Sequence, residues 1–233
     1  MTAPADIAPA RDVAHIRVAF FDVDETLLTI KSMFRFLRFH LRARGLPDSA
    51  YEEAAQTLRR RAAEGVPRTQ TNREYYRLYA EQPLTDVFAQ GRAWFAEELE
   101  RGVLHAPGVA QLRAHQDNGA HVVLVSGSFA PALEPAARLL GADRLICSTP
   151  EVRRGTYTGH LARPLIAEEK GRAVQRLLAE LDVPAEQAAA YGDHASDLPM
   201  LAAAGLPGCV GDDPALVAHV RDRDGILLPG MNR

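Results

Sequence analysis

Two aspartates follow an apolar run near the beginning of the sequence. The run Val18–Phe21 predicts a buried strand, and Asp22 and Asp24 stand at its exit, at the edge where open α/β sheets bind ligands. Two carboxylates two residues apart project to the same side of an extended chain. At that distance they repel each other unless a cation bridges them or one of them holds a proton. The pair therefore indicates a metal ligand that can attack and an acid that can donate a proton.

Three later segments carry groups that could surround such a pair. An apolar, strand-like run leads into Ser126 and Gly127, and small residues ahead of a helix expose backbone N–H groups that favour an anion. Lys170 opens an amphipathic helical pattern, where a cation is unusual unless it faces an anion. Another apolar run leads to Asp193 and Asp197, which suit a metal ligand and a helix N-cap or an acid behind the metal ligands. Alone, each segment is better explained as an ordinary turn or a solvated side chain; their order along the chain points to chemistry.

In that order, the four segments resemble the four motifs of the haloacid dehalogenase superfamily. The matching residues are Asp22-Val23-Asp24-Glu25-Thr26, then Ser126, then Lys170, then Gly192-Asp193 followed by Asp197. The resemblance extends over residues 16–214. The sequence from Tyr191 to Leu201 and the hairpin-like Gly155-Thr156-Tyr157-Thr158-Gly159 resemble one branch in particular, subfamily IB, which is phosphoserine-phosphatase-like.

The resemblance implies an α/β fold: a doubly wound, Rossmann-like parallel sheet with a small all-helical cap of the C1 type inserted after the first strand. Independently, strand-like runs separated by helical patterns predict a mostly parallel sheet. Residues 31–103 interrupt this alternation with helical patterns alone. We therefore expect a core domain at 16–30 and 104–233, a cap domain at 31–103 and a disordered leader at 1–15.

The expected elements have approximate bounds. In the cap, helices are predicted from about Met33 and at 51–63, 73–81 and 85–101. In the core, the patterns predict strands at 121–125, 144–147, 188–191 and 208–210 and a hairpin at 151–160. They also predict helices at 107–118, 131–140 and 197–204, in addition to the one that begins near Lys170.

The resemblance implies a phosphoric monoester hydrolase that uses Mg²⁺. It makes Asp22 the nucleophile, which attacks phosphorus and forms an aspartyl-phosphate, and Asp24 the group that protonates the leaving oxygen and then activates water. The implied Mg²⁺ ligands are the carboxylates of Asp22 and Asp193 and the main-chain carbonyl of Asp24. Asp197 would hydrogen-bond a water on the metal. Thr26 is implied to orient Asp22 or the turn around it.

Ser126, the amide of Gly127 and Lys170 are the groups that the resemblance assigns to the phosphoryl oxygens. Charge spreads over these oxygens in a loose transition state, and fixed donors stabilise it. Four acids and a phosphate dianion would then converge on a single cation, Lys170. This imbalance supports the expectation of a bound divalent metal.

Several residues in or near the motifs differ from the usual pattern of phosphoserine phosphatases. These usually carry an acid nine positions after the nucleophile, where it pairs with the substrate amine, whereas this chain has Lys31 there. An ammonium group would favour an anionic or polyhydroxyl substrate over phosphoserine, unless Lys31 extends into solvent. Glu25 and His194 replace small residues and Ser196 replaces a common asparagine, so all three are candidates for shaping the pocket. Phosphoserine itself, and a phosphomutase or phosphotransferase reaction on the same scaffold, remain open alternatives.

The predicted cap is rich in arginine and aromatic residues. Its second half is made basic by Arg59, Arg60, Arg61, Arg68, Arg73 and Arg77. Most such arginines lie on solvated helix faces, but one or two could point into the pocket and bind an anionic part of the substrate. The aromatic residues are expected mainly in the core of the cap; they are Phe34, Phe36, Phe39, Tyr75, Tyr76, Tyr79, Trp94 and Phe95.

Composition bounds the remaining possibilities. The 233 residues are 47% hydrophobic and 24% charged, as in an ordinary soluble protein. A formal net charge of −3 does not indicate the basic surface that nucleic-acid-binding proteins have. No stretch approaches the ~20 consecutive apolar residues that a membrane-spanning helix needs. Cys147 and Cys209 lie in apolar runs, which indicates buried thiols in a reducing compartment. Since the N-terminus has no signal-peptide pattern, we expect a cytoplasmic monomer or homodimer that acts on a small-molecule phosphate ester.

Three other classes of protein fit the sequence less well. A receiver domain of a signalling relay also combines acids, a hydroxyl residue and a lysine, but it places its phosphoacceptor after the third strand and has no cap. A dehalogenase shares the nucleophile but lacks the second acid of the first motif, because it has no leaving group to protonate; here Asp24 is present. A binding module without activity has no need of charged or hydroxyl residues at every motif position.

Overall fold

This computed structural model describes residues 13–231, which contain seven β-strands and nine α-helices. The strands are β1 (Val18–Phe21), β2 (His121–Phe129), β3 (Arg144–Arg153), β4 (Thr156–Arg163), β5 (Ala188–Gly192), β6 (Leu206–Val210) and β7 (Ile226–Leu228). The α-helices are α1 (Ser32–Ala43), α2 (Asp48–Ala63), α3 (Arg68–Arg77), α4 (Leu84–Glu100), α5 (Ala106–Asp117), α6 (Ala130–Leu139), α7 (Glu168–Leu181), α8 (Leu198–Ala202) and α9 (Pro214–Asp222). Single 3₁₀ turns lie at Ala185–Gln187 and Ala195–Asp197.

The seven strands form one sheet in the order β4-β3-β2-β1-β5-β6-β7. β1 lies in the middle and pairs in parallel with β2 and β5. Of the strands in the described residues, only β3 and β4 pair antiparallel. Parallel strands covered on both faces appear in a sequence as continuous apolar runs, which is why β1 and β5 could be recognised. The predicted α/β class and the doubly wound, mostly parallel sheet are confirmed.

Side chains along β1 alternate between two apolar layers, with the period of two that a strand imposes. Val18 and Phe20 pack in the layer formed with α7, α8 and α9. Ala19 and Phe21 pack in the layer that contains α5, α6 and the helices between β1 and α5. All four side chains are almost completely buried, so the position of Asp22 immediately after them is fixed by the core.

The segment between β1 and α5, which the structure describes in full, contains α1–α4 and no named strand; we call these four helices the helical insert. Its aromatic core surrounds Phe129 at the end of β2, with ring centroids 5.8 Å away for Phe36 and 5.0 Å for Tyr79. α4 packs closely on α6, since a Cβ added at Gly91 would lie 1.9 Å from the carbonyl oxygen of Pro131. The insert falls within the range 31–103 predicted for a cap, and its status as a separate domain stays a prediction.

Main-chain hydrogen bonds join the insert to the hairpin β3–β4. Glu81 N donates to Tyr157 O at 2.8 Å, Tyr157 N donates to Gln82 O at 3.0 Å, and Leu84 N donates to Gly155 O at 2.9 Å. We call these three bonds the strap. They bring the α3–α4 connection alongside a β-hairpin of the core.

The ends of several elements differ from those predicted. β2 continues to Phe129 instead of ending at residue 125, with an irregular register between Ser126 and Phe129. The predicted turn at Ser126 was therefore wrong, because the buried Phe129 keeps the chain extended beneath the insert. α3 begins at Arg68, directly after Pro67, earlier than the apolar spacing indicated.

The segment after β6 was not predicted beyond residue 210. α9 has a recognisable signal that was missed: Asp213 caps it by accepting from the N–H groups of Ala215 and Leu216, and Pro214 occupies its first turn, both typical of a helix start. β7 has only three residues, too few for a periodic pattern.

The beginning of the chain is described only in part. Residues 1–12 of the predicted leader lie outside the described residues, and Val13 is 5% exposed and packs on the core. None of the helices within 13–231 is both long and apolar enough to span a membrane.

Candidate active site

Four of the residues predicted to do chemistry meet at one edge of the sheet. Asp22 follows β1 and Asp193 follows β5, so both stand at carboxyl ends of neighbouring parallel strands. Lys170 reaches the same edge from the first turn of α7. Its Nζ donates to Asp22 Oδ1 at 2.7 Å and to Asp197 Oδ1 at 2.6 Å.

Lys170 is a buried cation between two anions. Its side chain is 6% exposed. Burial alone would lower the pKa of the ammonium group, but the charges of Asp197 and Asp22 outweigh burial and raise the pKa of Lys170 above its ordinary value. The ammonium group is therefore charged at every pH at which the protein would work.

Asp22, Asp193 and Asp197 present carboxylate oxygens within 4.8 Å of one another. Burial raises the pKa of Asp22 to about 6, even though Lys170 acts in the opposite direction. Burial and the charges of Asp22 and Asp197 raise the pKa of Asp193 to about 8. A divalent cation would relieve this repulsion, and clustered carboxylate oxygens are the ligands that Mg²⁺ prefers. The residues present therefore fit Mg²⁺.

The oxygens of the cluster are not equally free. Asp197 is already bonded through Oδ1 to Lys170, and its Oδ2 accepts from His194 N at 3.4 Å. Its packing also requires a glycine at 192, where a Cβ would lie 2.6 Å from that of Asp197. Asp193 Oδ1 accepts a hydrogen bond from the Thr26 hydroxyl at 3.3 Å. Thr26 thus orients Asp193, whereas the sequence suggested Asp22 or the turn.

Asp24 lies next to Asp22 in surroundings that disfavour its charge. Its Oδ1 is buried and has no hydrogen-bond partner within the described residues. Burial and the charge of Asp22 raise the pKa of Asp24 to about 7. A carboxyl group with that pKa can both give and accept a proton near neutral pH.

The two residues predicted to bind phosphate from β2 lie on its irregular last part. Ser126 is buried, and its Oγ accepts a hydrogen bond from Ser128 N at 3.2 Å. Ser32 Oγ donates to Ser128 Oγ at 3.0 Å, which joins α1 to this strand. Gly127 lines the cavity described next, whereas the buried Ser126, which was also predicted to bind phosphate, is not among the lining residues.

A cavity of about 520 Å³ lies between this edge of the sheet and the helical insert. That volume is typical of sites for small molecules. Its lining includes Asp22, Asp24, Lys170, Asp193 and Asp197. The predicted catalytic acids, lysine and metal ligands therefore share one concave site.

Lys31 also lines the cavity, but its charge is not free. Its Nζ lies 3.1 Å from Glu25 Oε2, with the two side chains 60% and 26% exposed. Glu25 has a left-handed backbone, with φ of 56°, a conformation that few residues other than glycine adopt. Lys31 and Glu25 both differ from the residues usual in phosphoserine phosphatases, and their opposite charges pair with each other.

Removing the lysine of this pair should favour an amino-bearing substrate. In Lys31→Met, Glu25 loses its partner and becomes free to bind an ammonium group, so we expect kcat/KM for phosphoserine to rise roughly three- to tenfold. The double variant with Glu25→Gln should cancel this gain, which a double-mutant cycle measures. Unchanged phosphoserine turnover in Lys31→Met would show that the pair does not face the substrate.

His194 and Ser196 form a hydrogen-bonded group with an arginine of the insert. Arg68 Nη1 donates to Ser196 Oγ at 2.8 Å and lies 3.3 Å from His194 Nδ1. His194 Nδ1 accepts from Ser196 N at 3.1 Å. Of the six arginines predicted to make the cap basic, Arg59 and Arg68 line the cavity. No sequence signal distinguished them from the others.

Ala167, just before α7, has a strained backbone. Its φ of 50° and ψ of −117° belong to a region that glycine favours. Lys170 N donates to Ala167 O at 2.9 Å, so the strained residue forms part of the turn from which Lys170 projects.

We expect Ala167→Gly to raise the free energy of unfolding by ~1 kcal/mol, since relief of strain exceeds the entropic cost of glycine. Ala167→Val should lower it, because a branched Cβ worsens the same conformation. Urea denaturation measures both changes. A glycine variant less stable than the parent protein would contradict the assignment of strain.

The chain is similar to known hydrolases and phosphatases. Residues 19–202 match the haloacid dehalogenase-like hydrolases. A probable phosphatase of Mycobacterium tuberculosis is 32% identical over 221 residues, which cover 91% of this chain and 74% of that protein.

Two solved structures resemble most of the chain in fold. A protein of unknown function from Bordetella pertussis superposes with a TM-score of 0.81 at 26% identity, over 91% of this chain and 98% of the other. A phosphoserine phosphatase, solved as an analogue of its phospho-aspartyl intermediate, has a TM-score of 0.65 at 21% identity, over 91% and 93% of the two chains. With the motif residues assembled at one sheet edge, the chain belongs to the haloacid dehalogenase-like hydrolase family.

Proposed function

We propose that the protein is a Mg²⁺-dependent phosphatase that hydrolyses a small-molecule phosphate monoester through an aspartyl-phosphate. The observation that carries the proposal is the buried arrangement of Asp22, whose carboxylate is held by Lys170 at 2.7 Å beside the protonatable Asp24. The similarity to a probable phosphatase supports the reaction class.

In the first step, a carboxylate oxygen of Asp22 attacks phosphorus, and the bond from phosphorus to the ester oxygen breaks. Asp24 gives its proton to that oxygen, so the leaving group departs as a neutral alcohol. A pKa near 7 supports this role, because the acid is then available at neutral pH. In the second step, Asp24 takes a proton from water, which attacks the aspartyl-phosphate and releases inorganic phosphate and free Asp22.

Positive charge for the phosphoryl oxygens comes from two sources. Lys170 is fixed by Asp22 and Asp197, so it needs no reorganisation during the reaction. Mg²⁺, held by Asp22, Asp193 and the main-chain carbonyl of Asp24, would neutralise and align the transferred group. Asp197 keeps Lys170 in place from the opposite side, and Thr26 orients Asp193.

The helical insert acts as the cap in this proposal. It covers the sheet edge and excludes water from the phosphoryl group, which strengthens every charge interaction inside the cavity. The amide of Gly127, which lines the cavity, would donate to a phosphoryl oxygen, and Ser126 supports this part of β2 by accepting from Ser128 N.

The test is release of inorganic phosphate from 4-nitrophenyl phosphate, with and without Mg²⁺. We expect turnover that EDTA abolishes and Mg²⁺ restores. Adding an excess of a sugar alcohol separates hydrolysis from transfer, since a phosphomutase or phosphotransferase would form a new ester instead of phosphate. Full activity in EDTA would overturn the metal-dependent mechanism.

A further inference from the structure

Part of the cavity lining is apolar. The insert contributes Met33, Phe34, Leu58, Ala62 and Val66, and the segment before α7 contributes Leu165 and Ile166. Phe34 is only half-buried, although it lies on a helix that packs into the core of the insert. An apolar surface of this kind gains free energy when an apolar ligand covers it.

The positively charged side chains that line the cavity differ in whether a carboxylate pairs with them. Lys170 is neutralised by Asp22 and Asp197, and Lys31 by Glu25.

Arg59 and Arg68 form no ion pair with any carboxylate of residues 13–231. Arg59 instead lies over the ring of Phe34, 5.8 Å from its centroid, and Arg68 donates to the neutral Ser196. Two guanidinium groups in one cavity without carboxylate partners favour an anionic ligand.

An amino group on the substrate would find no carboxylate in the cavity that is free to pair with it. Of the acids that line the cavity, Glu25 pairs with Lys31, and Asp22 and Asp197 pair with Lys170. Asp24 and Asp193 belong to the proposed acid and metal sites. An ammonium group would therefore lose its hydration without gaining a charge partner, which is costly.

We infer that the substrate's leaving group has an apolar body, which contacts Phe34, Leu58 and Ile166, and an anionic group, which binds Arg59 or Arg68. This inference rests on the proposed phosphatase reaction and narrows it to amphipathic phosphate esters. It excludes small, zwitterionic leaving groups such as serine.

The test compares esters of similar chemical reactivity: benzyl phosphate, 4-carboxybenzyl phosphate, 4-(aminomethyl)benzyl phosphate, ethyl phosphate and O-phospho-L-serine. We expect kcat/KM to be highest for the carboxybenzyl ester. It should exceed that of the aminomethyl ester and of phosphoserine by about tenfold or more, the effect of one charge-assisted hydrogen bond. Turnover of phosphoserine equal to or faster than that of benzyl phosphate would overturn the inference and leave the phosphatase reaction intact.

Matched variants locate the two parts of the site. At least one of the single variants Arg59→Gln and Arg68→Gln, and the double variant, should reduce the preference for carboxybenzyl over benzyl phosphate about tenfold. Arg60→Gln, an exposed neighbour that faces Glu64, should leave that preference unchanged. If the double variant keeps the full preference, the anionic part of the inference is wrong.

Phe34→Ala should reduce kcat/KM for benzyl phosphate several-fold, Phe34→Leu should retain most of it, and ethyl phosphate should be unaffected by either. Equal losses on both esters would mean that Phe34 only supports the fold, and would overturn its assignment to the leaving group.

Binding provides a readout that does not depend on turnover. In the corresponding phosphonates a methylene replaces the bridging oxygen, so no hydrolysis occurs. Calorimetry should give tighter binding for the carboxylated phosphonate than for the aminomethyl one, by about tenfold. If no ester were hydrolysed but this order held, the phosphatase proposal alone would fail; the reverse order would overturn the inference itself.

Discussion

Asp22→Asn should reduce metal-dependent phosphate release by roughly three orders of magnitude or more, the scale expected when a covalent nucleophile is removed. The amide has the same shape as the carboxylate but cannot form the acyl phosphate. Lys170 keeps its second partner, Asp197, at 2.6 Å, so the site should stay assembled. The measurement is kcat for 4-nitrophenyl phosphate, with circular dichroism and a thermal melt to confirm folding.

Asp212→Asn is the matched control, because Asp212 follows β6 on the same side of the sheet but is exposed and does not line the cavity. It should retain activity within about twofold of the parent protein, as surface substitutions usually do. If Asp22→Asn kept a tenth or more of the activity, the nucleophile would have to be another residue. Transfer of labelled phosphate to the parent protein, and not to Asp22→Asn, would identify the covalent step directly.

Without a divalent metal, the protein should lose stability as the pH rises from about 6.5 to about 8. The pKa values of Asp24 and Asp193 are raised from 3.8 to about 7 and about 8, so across this window the folded state holds protons that the unfolded state has released. The stabilisation from such groups is complete below an unfolded pKa of 3.8 and is lost as the pH rises through the folded values. We expect the melting temperature to fall by several degrees.

Lower pH is less informative because histidines act in the opposite direction. Burial lowers the pKa of His115 from 6.5 to about 4 and that of His40 below its ordinary value. These groups destabilise the fold as the pH falls from about 6.5 toward 4. Below pH 6.5 the histidines and the carboxylates change the stability in opposite directions. Above pH 6.5 the change in stability comes mainly from Asp24 and Asp193.

Mg²⁺ should reverse the loss at pH 8, since binding to the folded state alone adds about 2.7 kcal/mol at a concentration one hundred times the dissociation constant. Asp193→Asn should flatten the dependence on pH and remove the response to Mg²⁺, because it removes both a buried charge and a ligand. Asp212→Asn should behave like the parent protein. A melting temperature that rises between pH 6.5 and 8, or an Asp193→Asn variant that Mg²⁺ still stabilises, would contradict this account.

The part of the site that depends on strand ends could be predicted from the sequence. Asp22 and Asp193 follow apolar runs, and parallel strands place their carboxyl ends at one edge. Lys170 was recognisable because a cation opened an amphipathic helix. These signals depend on periodicity and order, which the sequence contains directly.

Contacts set by tertiary packing could not be predicted. The pairing of Lys31 with Glu25 accompanies a left-handed residue at 25, and Arg68 meets Ser196 across 128 positions. Nothing in the spacing marks either contact. Lys31, which stands where phosphoserine phosphatases usually have an acid, suggested an anionic substrate. In the structure Glu25 pairs with the charge of Lys31. The case for an anionic substrate therefore depends on Arg59 and Arg68 instead.

The strap has a consequence for how a ligand reaches the buried carboxylates. Pulling the α3–α4 end of the insert away from the hairpin would break three main-chain hydrogen bonds and uncover the aromatic rings around Phe129. The opposite end, where α2 meets α3, contacts the core loop 194–196 through the exposed side chain of Arg68. We therefore expect the insert to open at the α2–α3 end while the hairpin side stays fixed, which would place Arg68 beside the path of an entering ligand.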